Sequence, residues 1–155
     1  MKKIIAIVFA LVSISVYGQT ITQVDSLLYS SISKNIEKDD LSQSYRADYE
    51  LVFTTDMDAE TMFKNLMSVV YKDKTAQTNK TDGKYQVTTT DTKYGTKYNI
   101  FIKDKKFKIT AYLNSKIAYK YDGEFLSEGI LKLPELKIAA YARTILTSAE
   151  EKFDF

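Results

Sequence analysis

The segment between Gly95 and Leu113 constrains the fold most, because apolar and polar residues alternate on both sides of a short polar turn. Alternation with a period of two predicts β-strands with one buried face. We therefore predict an antiparallel hairpin that turns at Asp104 and Lys105. Its apolar face comprises Tyr98, Ile100, Ile102, Phe107, Ile109, Ala111 and Leu113.

The same alternation predicts the register of the hairpin. The expected cross-strand pairs are Ile102 with Phe107, Ile100 with Ile109, and Tyr98 with Ala111. A slip of one residue would place Lys103 opposite Phe107 and would mix the two faces, so the pattern favours a single register. The hairpin specifies a fold and carries no chemistry of its own.

Residues 1–18 have the features of a secretory signal peptide. Lys2 and Lys3 precede an uncharged apolar run at 4–12, and small or branched residues precede Gln19. The run is shorter than the roughly 20 residues that a membrane span requires. We expect export to the periplasm or the medium, a mature chain that begins at Gln19, and no stable membrane span once the signal is removed.

Composition argues against several classes of function. The chain has no cysteine and no histidine, which excludes disulfides, thiolate metal sites and a bacterial lipid anchor, and removes the commonest general base. Without Lys2 and Lys3 the 22 basic residues become 20, equal to the 20 acidic ones. This balance gives no support to nucleic-acid binding.

The N-terminal part of the mature chain predicts a helix, a strand and a second helix. Apolar spacing over residues 22–37 predicts a helix that packs on the domain or lies outside it as an arm, and a connector reaches residue 44. Period-two alternation predicts a half-exposed strand at 45–55. Asp56 or Asp58 then caps a helix with one broad apolar face, which continues to about Val70.

The remainder predicts further strands and a closing helix. The sequence predicts a polar connection at residues 72–84, a strand at 85–89, and a short strand at 117–121 after the hairpin. The segment 125–133 is ambiguous between a loop and a short irregular element. Pro134, the only proline, is expected in the first turn of the last helix. The domain organisation is a signal peptide at 1–18, a helix and connector at 19–44, and one domain at 45–155.

No motif predicts catalysis, a cofactor or a metal. Ser31 and Lys34 match an S-x-x-K pattern that lacks its companion motifs, and chance accounts for it better. The acids at 56–60 resemble the start of a calcium loop, but Thr61 and Met67 stand where an EF-hand needs glycine and glutamate. We therefore expect a protein that is not an enzyme.

The polar side of the hairpin is the candidate binding surface. Aromatic rings beside lysines supply stacking and charge together, which suits sugars, acidic peptides or anionic polymers. The alternative is a solvated face with ordinary cross-strand pairs. The candidate residues are Lys97, Phe101, Lys103, Lys108 and Tyr112.

The predicted order is β-α-β-β-β-β-α, an α+β fold with an antiparallel sheet of about five strands and helices on one face. The segments that carry a resemblance are 49–53, the helix after Asp58, and 98–110. With them the chain resembles exported Bacteroidota domains of unknown function that have a TBP-like fold. The resemblance implies a fold and a compartment, and it implies no catalytic residues.

Two functions fit this order of elements. The first is an exported, non-catalytic binding or structural module of the bacterial cell envelope, whose partner is an unknown envelope component or protein. The second is a helix-grip carrier that holds a small apolar ligand between the sheet and the last helix. A carrier is expected to enclose a cavity lined by Tyr98, Ile100, Ile109, Leu113 and Ile145.

Overall fold

The computed structural model describes residues 21–39, 44–115 and 123–147, and these form three helices and six strands. In chain order they are α1 (Ile21–Ser31), β1 (Ser33–Asp39), β2 (Ser44–Thr54), α2 (Ala59–Val70), β3 (Gln77–Thr81), β4 (Lys84–Asp91), β5 (Thr96–Lys103), β6 (Lys106–Ser115) and α3 (Gly123–Leu146). The strands form one antiparallel sheet in the order β1-β2-β6-β5-β4-β3. The fold class is α+β, as predicted.

The predicted hairpin lies at the centre of this sheet as β5 and β6, and its register is confirmed. Ile102 pairs with Phe107, Ile100 with Ile109, and Tyr98 with Ala111. All six side chains are at most 2 % exposed. Alternation thus places the predicted apolar face of the hairpin under the helices.

The helices pack on one side of the sheet and enclose the core. α2 and α3 contact each other, α2 covers β4 and β5, and α3 covers β2 and β6. α1 packs against α3 and β2, and its Leu28 is fully buried. The N-terminal helix is therefore part of the domain.

The turn between β5 and β6 is fastened to the connection that precedes α2. Of the two predicted caps, Asp56 and Asp58, it is Asp58 that caps α2, since its carboxylate accepts a 2.7 Å hydrogen bond from the backbone N–H of Thr61. Asp104 accepts another, of 2.8 Å, from the N–H of Ala59. Lys105, which has a φ of 65°, exchanges backbone hydrogen bonds with this connection at Thr55 and Met57.

The helix predicted over residues 22–37 is shorter than expected. It ends at Ser31, and Ser33–Asp39 pairs with β2 as an edge strand. Ile36, which fitted the helical stripe, is 39 % exposed. The apolar spacing favours a continuous helix, but after Ser31 the chain instead forms backbone hydrogen bonds with the edge of β2.

A further strand, β3, lies within the segment that was expected to be a polar connection. Its five residues are all exposed, and it pairs with β4 through a two-residue turn. The φ angles of this turn are 50° at Asp82 and 74° at Gly83, as in a type I′ hairpin turn. The strand predicted at 117–121 lies outside the described residues.

The prediction for Pro134 was wrong. α3 begins at Gly123, so the ambiguous segment is helical and Pro134 is buried in the interior of the helix. An interior proline removes one helical hydrogen bond. Burial of flanking residues such as Ile130 and Ile138 against the core offsets that cost.

Candidate functional site

The side of the sheet opposite the helices carries no covering element among the described residues. We call it the free face, and it consists of the strand side chains that alternate with the buried ones. On β4, β5 and β6 these are half-buried or exposed throughout. The free face includes Asp48, Glu50 and Val52 on β2, Gln86 on β4, Lys97, Asn99, Phe101 and Lys103 on β5, and Lys106, Lys108, Thr110 and Tyr112 on β6.

All five predicted site residues lie on the free face. Phe101 pairs with Lys108 across the two central strands, and the Lys108 Nζ atom lies 5.0 Å from the centroid of the Phe101 ring. Lys97 is the cross-strand partner of Tyr112 in the register of the same two strands. The two rings are 37 % and 42 % exposed respectively. The structure thus joins lysines and aromatic rings in two cross-strand pairs.

The first pair belongs to a groove of about 390 Å³ at the end of the sheet where β5 turns into β6. We call it the lysine groove. It contains three of the five predicted residues, Phe101, Lys103 and Lys108. Its free-face side chains are Val52, Asn79, Thr81, Lys84, Gln86, Phe101, Lys103, Lys106 and Lys108.

A second groove, of about 460 Å³, lies toward the other end of the sheet between β1, β2 and β6. We call it the acidic groove, because Asp48 and Glu50 line it. Of the five predicted residues only Tyr112 belongs to it. Its free-face side chains are Ser33, Asn35, Asp48, Glu50, Thr110 and Tyr112.

The structure therefore divides the predicted site. Lys97 lines neither groove, and it stands four residues from Phe101 on β5, about 13 Å along the strand. The pairs Asp48–Tyr112 and Tyr112–Lys97 place the acid and the lysine in one row across the sheet. The surroundings of Lys97 are thus of mixed charge, whereas those of Phe101 are basic.

Within the described part of the chain, the side chains that line the lysine groove have a net positive charge. Lys84, Lys103, Lys106 and Lys108 form no ion pair with a described residue, and no carboxylate lines the groove. Asp104 follows Lys103 directly, but its carboxylate accepts the hydrogen bond from the Ala59 N–H. This groove is consequently the part of the free face best suited to an anion.

The residues that sequence reasoning missed fall into three groups. Lys106 pairs with Lys103, so the predicted register already implied its place. Asp48 and Glu50 were expected on the exposed side of a strand, but nothing local indicated that this strand pairs with β6. Asn79 and Thr81 belong to β3, whose residues are all exposed and which therefore lacks periodicity.

The covered side of the sheet holds a set of buried hydroxyl groups that have a structural role. Tyr49 donates a 2.5 Å hydrogen bond to the carbonyl of Leu131, and Thr89 and Tyr141 share one of 2.9 Å. Burial raises the pKa of Tyr49, Tyr98 and Tyr141 above the ordinary value for tyrosine. The hydrogen bonds of Tyr49 and Thr89 link α3 to β2 and β4.

The residues expected around a carrier cavity are tightly packed. Tyr98 is 2 % exposed, and Ile100, Ile109, Leu113 and Ile145 are fully buried. None of the five lines either groove. Both grooves open instead on the free face.

Two further properties hold for the described ranges. No group of three or more histidine, cysteine, aspartate or glutamate residues is arranged to hold a metal ion there. Within those ranges no helix combines the length and the hydropathy needed to cross a membrane. Comparison with known proteins gives no significant match to a family model, to a curated protein or to a solved structure.

Proposed function

We propose that this protein is an exported, non-catalytic binding module of the bacterial cell envelope and that it binds through the free face. The observation that carries the proposal is the one-sided packing of the helices. It leaves Phe101 and Lys108 without a covering element from the described part of the chain, in a groove with three further lysines.

A solvated face would be the ordinary explanation for a single exposed ring. Phe101, however, lies in a concave site where every charged side chain among the described lining residues is a lysine. A ring with a cation above it offers both stacking and charge to a ligand. The basic start at Lys2 and Lys3 and the apolar run that follows support export, as does the resemblance to exported Bacteroidota domains.

The experiment is co-sedimentation of the purified protein with envelope fragments from its host. The test variant is Phe101→Ala with Tyr112→Ala, which removes both rings of the free face. The control is Val69→Ala with Tyr71→Ala, two exposed apolar residues near the end of α2. Each variant is expected to keep its stability within about 1 kcal/mol, as is usual for surface changes.

We expect the wild type and the Val69/Tyr71 control to sediment with the fragments and the Phe101/Tyr112 variant to remain in the supernatant. Equal sedimentation of the two folded variants would place the binding surface elsewhere. Mass spectrometry of the protein from its host is expected to find Gln19 at the N-terminus. A species that retains Met1 in the cytoplasm would contradict export.

The carrier remains the alternative function. The packing of Ile100 and Ile145 gives it less support than the open grooves give the binding module. Binding of an apolar fluorescent probe by the wild type, together with no sedimentation, would favour the carrier.

A further inference from the structure

We propose that the lysine groove binds a linear acidic glycan whose chain lies across the strands of the sheet. This inference rests on the proposed function and names the ligand class of its surface. It follows from two parallel rows of side chains that cross the free face at this end.

The first row consists of lysines on three adjacent strands. Lys103 on β5 pairs with Lys106 on β6, and Lys84 on β4 lies beside Lys103 because the next pair along the strands is Tyr85 with Ile102. Neighbouring strands are about 4.8 Å apart. Three positive charges are thus aligned perpendicular to the strands.

Like charges placed directly opposite each other destabilise a sheet. The Lys103–Lys106 pair has this arrangement and has no described carboxylate partner to relieve it. A bound anion that lies between the two ammonium groups would remove the repulsion. The row is therefore suited to carboxylate or sulfate groups spaced along a ligand.

The second row supplies hydrogen bonding and stacking. Asn79 pairs with Gln86, Gln86 with Phe101, and Phe101 with Lys108. Along this row, two side-chain amides that can both donate and accept hydrogen bonds thus precede the exposed ring of Phe101. Hydroxyl groups and the apolar face of a sugar ring match this sequence of partners.

The acidic groove determines the direction of the ligand. A polyanion that ran along β6 would leave the lysines and approach Asp48 and Glu50 on the neighbouring strand β2. A chain lying across the strands stays within the two rows. Repulsion from these acids thus favours the crosswise orientation.

A glycan fits this groove better than an acidic peptide does. Extended peptides gain affinity from main-chain hydrogen bonds at the edge of a sheet. β3, at the border of the groove, has a free edge. The lysine row and Phe101 lie on β4, β5 and β6, which are each paired on both sides and offer no free backbone groups to such a peptide. Recognition in the centre of the sheet must come from side chains alone.

The experiment is calorimetric titration of the folded chain with oligogalacturonate and with dextran sulfate. A neutral cello-oligosaccharide of similar length and poly-L-glutamate serve as ligand controls. The groove variants are Lys103→Gln with Lys106→Gln, and Phe101→Ala. The control variant is Lys72→Gln with Lys74→Gln, which removes the same charge at two exposed positions outside the free face. Circular dichroism verifies that each variant is folded.

We expect at least one acidic glycan to bind the wild type, more weakly as salt increases. The Lys103/Lys106 variant is expected to lose about tenfold in affinity, the effect of two exposed charge contacts together. Phe101→Ala is expected to weaken acidic glycans without affecting poly-L-glutamate. The Lys72/Lys74 control is expected to bind like the wild type.

Three results would overturn the inference. These are no binding of either acidic glycan, equal losses in the Lys103/Lys106 and Lys72/Lys74 variants, or poly-L-glutamate binding as tightly as the glycans. Envelope sedimentation that still depends on Phe101 would then leave the proposed function standing, so the two failures are distinguishable.

Discussion

The side-chain amide of Asn65 on α2 donates a 2.9 Å hydrogen bond to the backbone carbonyl of Ile145, one residue before the end of α3. The last four carbonyls of a helix have no partner within it. Asn65 is 5 % exposed, so its amide takes the place that water has at an exposed helix end. The contact joins the two principal helices of the core.

Replacing Asn65 with alanine is therefore expected to leave the Ile145 carbonyl buried without a partner. The free energy of unfolding should fall by about 1–3 kcal/mol, as for other unsatisfied buried groups. Urea denaturation measures the change. Asn114→Ala, at an exposed position on β6, is the control. Equal losses in both variants would show that the amide does not cap α3.

Charge substitution on the two faces of the hairpin is expected to have opposite consequences. Ile100→Lys or Ile109→Lys buries an unpaired ammonium group, and we expect a loss above about 4 kcal/mol or no folding. Asn99→Lys falls on the free face and is expected to stay within about 0.5 kcal/mol of the wild type. Thermal denaturation compares the three, and similar melting temperatures would contradict the observed faces.

Two buried tyrosines provide a matched pair of variants. Tyr141→Phe removes the hydrogen bond with Thr89 and is expected to cost about 1–2 kcal/mol. Tyr98→Phe removes a hydroxyl that forms no hydrogen bond with a described residue, and is expected to leave stability unchanged or slightly higher. Chemical denaturation of both tests this. Equal losses would indicate that the Tyr98 hydroxyl has a partner, such as a buried water.

Alkaline pH is expected to unfold the protein. Burial raises the pKa of Tyr49, Tyr98 and Tyr141 in the folded state, whereas an unfolded tyrosine titrates near about pH 10. Their contribution to stability is fully present below that pH and is lost as the pH rises through the folded pKa values. We expect the last rise in phenolate absorbance to coincide with loss of the circular dichroism signal. Full titration of all tyrosines in a still-folded chain would contradict this.

Local sequence predicted the elements that bury a regular face. The hairpin register followed from alternation, and α2 followed from one apolar stripe after the Asp58 cap. In both, the spacing of apolar residues matches the period of the structure they form. Burial of those residues then selects one register and one helix face.

The two edge strands of the sheet, β3 and β1, were not predicted because neither has a regular buried face. β3 buries no side chain, so its sequence has no periodicity to detect. β1 has Ile36 as its only large apolar residue, and that residue is 39 % exposed. These strands exist because β2 and β4 offer unpaired backbone groups, a property of the assembled sheet.

The sequence by itself determined the fold class, the central hairpin and which of its side chains avoid the core. Only the tertiary structure decided which side chains from other strands lie beside them. It brought Lys84 and Gln86 to Phe101, and it brought Asp48 and Glu50 to Tyr112. The physical reason is that alternation along one strand specifies a face, whereas a groove depends on which strands pair and in what order.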